Sequence, residues 1–454
     1  MEMDMTRGNP MPLILKFTIP LVIGNIFQQL YNMADTIIVG RYVGAGALAA
    51  VGSTGTIMFL ITGFSQGITA GFTVLTAQRY GAKDSEGVKK SVANGILLAV
   101  LVTLFLTALG VLTMEPLLRL MNTPEDIFQD AYDYIIVICA GIGANVFYNL
   151  LSACLRSVGN SQAPLYFLVL SACLNVVLDL VFIICFHMGV AGAAWATNLS
   201  QAVSAALCLI YMFIKVPVLR PERKHWRIHK RDSRIQMAIG IPMAFQFAIT
   251  ASGTMIMQSA INLFGSEAVA AYTAAGKLQN LVTQGMVAMG QTMATYGGQN
   301  YGKGDLGRIR QGVRAALKAE FIYSIAAGVL VCLLLEPCLG LFFSGDVDIH
   351  AMMPWAKTYI YMCAVFFIPL STIFIFRNIM QGCGYGFLPM MGGVSELVAR
   401  LLTAAAAIKL LSYPLACFCD PAAWVAAGLF TGISYLFVMR DLEKKLGAAE
   451  FKRI

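Results

Sequence analysis

Twelve apolar stretches separated by short polar connections run through the 454 residues. They cover about 12–39, 46–77, 91–113, 127–151, 162–186, 190–214, 235–264, 268–298, 314–335, 355–380, 387–411 and 420–440. Blocks such as Ile96–Leu112, Tyr166–Phe186 and Ile322–Leu335 contain few or no charges. A bilayer-crossing helix needs about 20 mostly apolar residues. Only helices or closed barrels satisfy their backbone in lipid, and barrel strands alternate polar and apolar positions over ~10 residues. These blocks do not alternate. The pattern predicts an all-α polytopic membrane protein of twelve transmembrane helices.

Composition strengthens that reading. The chain is 58% hydrophobic and 12% charged, with a mean hydropathy of +0.71; a soluble domain carries roughly 25% charged residues. Met1–Pro10 is polar and mixed in charge, which reads as no cleavable signal peptide. The 11 cysteines lie almost all inside apolar stretches. Without a CxxC pair or a Cys/His cluster they imply neither a disulfide framework nor a zinc site.

A net charge of +8 raises the question of a nucleic-acid partner. The basic residues instead collect in alternate connections: Arg79, Lys83, Lys89 and Lys90; Lys215 to Arg234; Lys303, Arg308, Arg310, Arg314 and Lys318; and a tail with Arg440, Lys444, Lys445, Lys452 and Arg453. The intervening connections carry Glu115, Glu125 and Asp126, then Glu267, then Glu336, Asp346 and Asp348. By the positive-inside rule both termini are expected in the cytoplasm. The expected location is a bacterial inner (plasma) membrane, crossed many times, with the lipid bilayer as partner and no nucleic acid.

The two halves repeat. Gln78-Arg79-Tyr80-Gly81 recurs as Gln299-Asn300-Tyr301-Gly302, and Glu115-Pro116 as Glu336-Pro337, both at an offset of 221. Tyr134 and Tyr359, and Pro164 and Pro389, are 225 apart. Ala193-Ala194-Trp195 recurs as Ala422-Ala423-Trp424, and Ile19-Pro20 as Ile241-Pro242. Six spans per half is an even number, so the repeat is parallel, an architecture of secondary transporters that work by alternating access. The expected division is a first lobe over 1–214, a basic linker over 215–234 and a second lobe over 235–454; two packed lobes suffice as a monomer. No G-x-x-x-x-G-K-[ST] sequence is present, so the drive is expected to come from a gradient.

Ionisable residues inside spans are functional candidates by default. Asp35 and Asp179 are the clear carboxylates of the first half. Gln28, Tyr31, Asn32 and Asp35 share one helical face by their spacing, as do Asn175 and Asp179, with Thr197 on the next span in position to join them. Carboxylate, amide and hydroxyl oxygens suit a hard cation such as Na⁺. Two close carboxyls in a low dielectric equally favour sharing one proton. The bland alternative is polar glue between helices. Gln28, Tyr31 and Asn32 are candidates for a substrate cavity as well as for glue; in the second half Glu396 and Arg400 stand i, i+4 and form either a local ion pair or part of that cavity, and Gln246 and Gln258 on span 7 are further cavity candidates. No cofactor is called for beyond the coupling ion.

The ordered set Ile19-Pro20, Asp35-Thr36, Ala77-Gln78-Arg79-Tyr80-Gly81-Ala82, Asn175-x-x-x-Asp179 and Gly192-Ala193-Ala194-Trp195-Ala196-Thr197 resembles the multidrug and toxic compound extrusion (MATE) family over nearly the whole chain. The resemblance implies two six-helix lobes around a V-shaped cavity, and export of organic cations and other amphipathic compounds in exchange for H⁺ or Na⁺. It places the coupling ion of one branch at Asp35, Asn175, Asp179 and Thr197, with the Ala193 carbonyl as a further ligand. Another branch uses acids in spans 7 and 10; here span 7 carries Thr250 and span 10 has no acid, which points to the first lobe. Three other classes fit the sequence less well. A major facilitator is disfavoured because Gly81–Lys90 is one residue short before the Asp and lacks the Arg of that class's loop. A lipid-linked glycan flippase needs a strongly basic cavity, and a polytopic membrane enzyme needs a catalytic cluster at one interface.

Overall fold

A computed structural model describes residues 2–121, 123–342 and 349–451. Asp346, Asp348, Lys452 and Arg453 lie outside them. Among the described residues there is no strand. The first half folds as α1 (Pro10–Tyr42), α2 (Ala45–Ser53), α3 (Gly55–Gly81), α4 (Ser85–Leu120), α5 (Glu125–Ala140), α6 (Ile142–Ser157), α7 (Gln162–Leu180) and α8 (Gly189–Lys215). The second half folds as α9 (Lys230–Ile261), α10 (Ser266–Lys303), α11 (Leu306–Phe342), α12 (Ile349–Val365), α13 (Phe367–Gly382), α14 (Phe387–Leu410), α15 (Tyr413–Cys417) and α16 (Cys419–Phe451). Every predicted span coincides with one helix or one broken pair. Large apolar side chains stand exposed along these helices, Leu112, Ile322 and Leu333 among them, as lipid-facing positions require.

The repeat is visible in the breaks. The pair α5 and α6 bends by 46°, and the pair α12 and α13 by 50°. The first break falls at Gly141, where a Cβ would sit 2.1 Å from Asn198 Nδ2; that amide donates to the Val137 carbonyl at 2.7 Å, a carbonyl in the last turn before the bend. The second break, at Phe366, is 225 residues on, the offset of the tyrosines and prolines. Helix ends repeat too. Asp84 N bonds to Arg79 O at 3.0 Å past α3, and Asp305 N to Asn300 O at 3.0 Å past α10. Both turns need a left-handed residue, Lys83 at φ 60 and Gly304 at φ 81, the usual device for taking up the last helical carbonyls. Asp84 then caps α4 by accepting from Gly87 N at 2.8 Å, a bond of about 1 kcal/mol.

Two compact units result: Met1–Asp4 with Ile23–Phe247, and Met5–Val22 with Ala248–Ile454. They differ from the chain-order division at 1–214 and 235–454, because α1 and α9 each change unit part-way along. The physical reason is close packing. In the first unit, a Cβ at Gly71 would lie 2.3 Å from Gly240 Cα, so α3 and the start of α9 meet backbone to backbone. Gln236 there donates to the Phe72 and Ser91 carbonyls, both at 2.9 Å, and accepts from Asn94 Nδ2 at 2.6 Å. In the second unit the start of α1 is bound by Thr18 to Thr292 at 2.8 Å. The exchange points follow Pro20 and Pro242, the prolines inside α1 and α9.

The linker is not a loose strap. It carries two short 3₁₀ turns, Pro217–Leu219 and Arg223–His225, and Leu219 and His225 are fully buried in the first unit. His225 Nδ1 accepts from Glu222 N at 2.9 Å while its Nε2 meets Glu86 at 3.1 Å.

Candidate functional site

The first unit gathers its polar side chains where α1, α5, α7 and α8 pack. Ser171 Oγ donates to the Ser200 carbonyl and Ser204 Oγ to the Phe167 carbonyl, each at 2.8 Å. These small polar residues clamp α7 to α8 and fix the faces carrying Asn175, Asp179 and Thr197. Asn175 Nδ2 reaches Thr197 Oγ1 at 3.5 Å. Asn175, Asp179 and Ala193 are fully buried, and Asp35 and Thr197 nearly so. The Asp35 carboxyl adjoins that of Asp179, and Tyr31 stands beside Thr197. Both oxygens of Asp179, Oδ1 of Asp35 and Oδ1 of Asn175 are buried without a donor among the described residues. Apolar side chains, among them Ile38, Ile183 and Val190, wall the group off. A π-helical turn, Val181–Cys185, begins two residues after Asp179; such turns concentrate at functional sites.

Two acceptor-only side chains side by side, buried and without protein donors, are costly unless a positive charge joins them. The other side-chain oxygens beside them are an amide and a hydroxyl, a donor set suited to a hard monovalent cation or a shared proton. Among the described residues no group of three His, Cys, Asp or Glu side chains is placed to hold a metal ion, and all 11 cysteines are free.

Next to this group lies a small polar cavity of about 30 Å³, lined by Gln28, Tyr31, Asn145, Asn149 and Gln201, room for a water or two. Gln28 and Tyr31 therefore come together at its lining, whereas Asn32, exposed like Gln28, does not line it, and its carbonyl takes the Thr36 hydroxyl at 2.9 Å. Gln246 is half-buried in the first unit. Gln258 belongs to the second unit and donates to Asn262 at 2.8 Å. Asn145, Asn149 and Gln201 were not singled out from sequence, being isolated amides. Tyr134, buried beside the same group, was noticed only through its repeat partner.

That partner marks the corresponding place in the second unit. The Tyr359 hydroxyl lies within donating distance of Gln279 Oε1 at 3.1 Å and Asp420 Oδ2 at 3.4 Å, which share its one hydrogen. Arg400 bonds Asp420 at 3.0 Å and lies 3.6 Å from Glu396, which also pairs with Arg377. The i, i+4 pair expected from spacing exists, but its members spend most of their charge on Arg377 and Asp420. All four are buried. By the 225 offset, Arg400 stands where the first unit has Asn175.

The MatE family model matches the chain twice, over residues 20–181 and 242–405, once in each half. Among curated proteins, the "Probable multidrug resistance protein YpnP" of Bacillus subtilis (strain 168) is 28% identical over 439 residues, covering 96% of this chain and 94% of its own. The "Probable multidrug resistance protein NorM" of Thermotoga maritima is 26% identical, covering 87% and 85%. The "FAD transporter" of Shewanella oneidensis is 25% identical, covering 87% of both chains. The solved structure described as "Outward-facing conformation of a multidrug resistance MATE family transporter of the MOP superfamily" superposes with a TM-score of 0.89 at 24% identity, over 97% of this chain and 98% of that one. Helical spans repeated in two halves, a fold shared along the whole length and a family match covering both halves agree: the chain belongs to the multidrug and toxic compound extrusion (MATE) family of multi-pass membrane transporters.

Proposed function

We propose that this transporter is an antiporter that exports amphipathic or cationic small molecules in exchange for Na⁺ or H⁺ held in its first lobe. Asp35 and Asp179 hold the ion, with Asn175, Thr197 and the Ala193 carbonyl as further ligands. The observation that supports this most is Asp179: a fully buried carboxylate with neither oxygen bonded to a donor, beside a second carboxylate. A bare pair of this kind demands a cation or proton. Arrival and departure of that charge gives α1, which carries Asp35, Gln28 and Tyr31, two states of different local charge. Pro20 weakens the ladder of α1 where the helix passes from one compact unit to the other. The polar cavity at Gln28 and Tyr31 is the proposed place where cargo senses the change. Glu396 and Arg400 contribute to cargo binding through the field of their network. The basic even-numbered connections support an inner-membrane orientation with both termini cytoplasmic.

Asp35→Asn and Asp179→Asn are expected to abolish drug efflux from cells, by 100-fold or about that, at unchanged membrane abundance. Because one relative is named an FAD transporter, efflux is measured for an organic cation and for a flavin nucleotide. Full efflux of both cargoes by both variants contradicts the assignment.

A further inference from the structure

A groove of about 580 Å³ indents the second unit between the start of α11, the middle of α13 and the distal part of α16. Its charged lining is Arg310, Arg314, Arg440 and Glu443. Glu443 is paired with Arg310. Among the described residues no carboxylate pairs with Arg314 or Arg440, so one rim of the groove carries two uncompensated guanidinium groups. Arg310 and Arg314, one helical turn apart, flank Tyr435, whose ring packs on Phe376 at 5.2 Å. Away from that rim the groove is apolar. Leu317 and Leu436 wall it, and Leu436 continues onto a lipid-facing strip of α16 with Ile433 and Phe437, all more than half exposed. The arginines lie at the ends of the apolar stretches 314–335 and 420–440, where a membrane's headgroups begin.

We propose that this groove binds one anionic phospholipid, its phosphodiester held by Arg314 and Arg440 and one acyl chain lying between Leu317 and Leu436. Guanidinium groups grip phosphate oxygens in two-pronged fashion, and basic pockets between membrane helices are the recurrent seat of anionic headgroups. The apolar walls separate this from a site for free phosphate or a nucleotide, which would leave Leu317, Phe376 and Leu436 facing a hydrated anion. The site is independent of the coupling ion and of the cargo.

The test is native mass spectrometry of the purified, delipidated full chain titrated with phosphatidylglycerol or phosphatidylcholine. The wild type is expected to retain one phosphatidylglycerol in preference to phosphatidylcholine. Removing one arginine lowers that preference roughly fivefold, and both together roughly 25-fold. Arg314→Gln/Arg440→Gln should therefore lose it, Arg314→Lys/Arg440→Lys should keep most of it, and the control Lys90→Gln/Lys215→Gln should match wild type. The single glutamine variants give the same reading at smaller scale should the double fail to fold. Wild-type-like retention by the glutamine variants overturns the proposal. So does an equal loss in the control, or displacement of the lipid by millimolar inorganic phosphate.

Discussion

A buried charge is tolerable only when something answers it, and the two lobes answer differently at corresponding places. In the first, Asp35 and Asp179 face each other without a donor to Asp179. In the second, Arg400 lies between Asp420 and Glu396 and is itself the positive charge. At this place the second lobe thus carries its positive charge covalently. Removing one partner of such a network strands the others: Arg400→Ala is expected to cost about 3–5 kcal/mol, read as a lowered Tm of the purified protein, with part of the loss restored by adding Asp420→Asn. A loss below about 1 kcal/mol would show the network to be well hydrated and this reading of the second lobe wrong. Asp35 and Asp179 were legible in sequence because an acid within an apolar run is conspicuous. Asp420 was not, because it sits at the edge of a stretch, after Cys419 and before Pro421, and reads there as a loop acid. Only the fold brings it to Arg400.

At the scale of elements, apolar length located every span, including α10, whose glycines and amides make it less apolar than its neighbours. The breaks were not legible. Gly141 is one of 42 glycines, and nothing local tells it from the others; it breaks its helix because Asn198 needs the space. The linker shows the same limit. Its basic residues read as solvated charge, yet Glu86 fastens it, bonded by Lys224 at 2.9 Å and His225 at 3.1 Å. Lys224 first, then His225, hold the Glu86 carboxyl at about 2, down from 4.5. A lowered acid stabilises above its ordinary value and loses that contribution as pH falls toward the folded one. The linker should therefore stay docked at neutral pH and loosen only as the pH drops from 4.5 to about 2. At pH 7.5, Glu86→Gln should speed tryptic cleavage at Arg223, Lys224 or Arg227 several-fold, and unchanged cleavage would count against the clamp.

For the whole molecule, the repeat was readable as an ordered series of weak matches, because equivalent turns need equivalent residues. The exchange of helix segments between compact units was not, because it rests on the close approach of Gly71 to Gly240, residues 169 apart in sequence. One continuous helix, α1, carries Asp35 in one unit and Thr18 in the other. The central claim is that a small cation or proton at Asp35 and Asp179 drives efflux. It is tested most directly by cargo efflux from proteoliposomes under an Na⁺ gradient alone and a pH gradient alone, comparing wild type with Asp179→Asn. The prediction is that one of the two gradients drives wild-type efflux and neither drives the variant. Gradient-driven efflux by Asp179→Asn at the wild-type rate would contradict it.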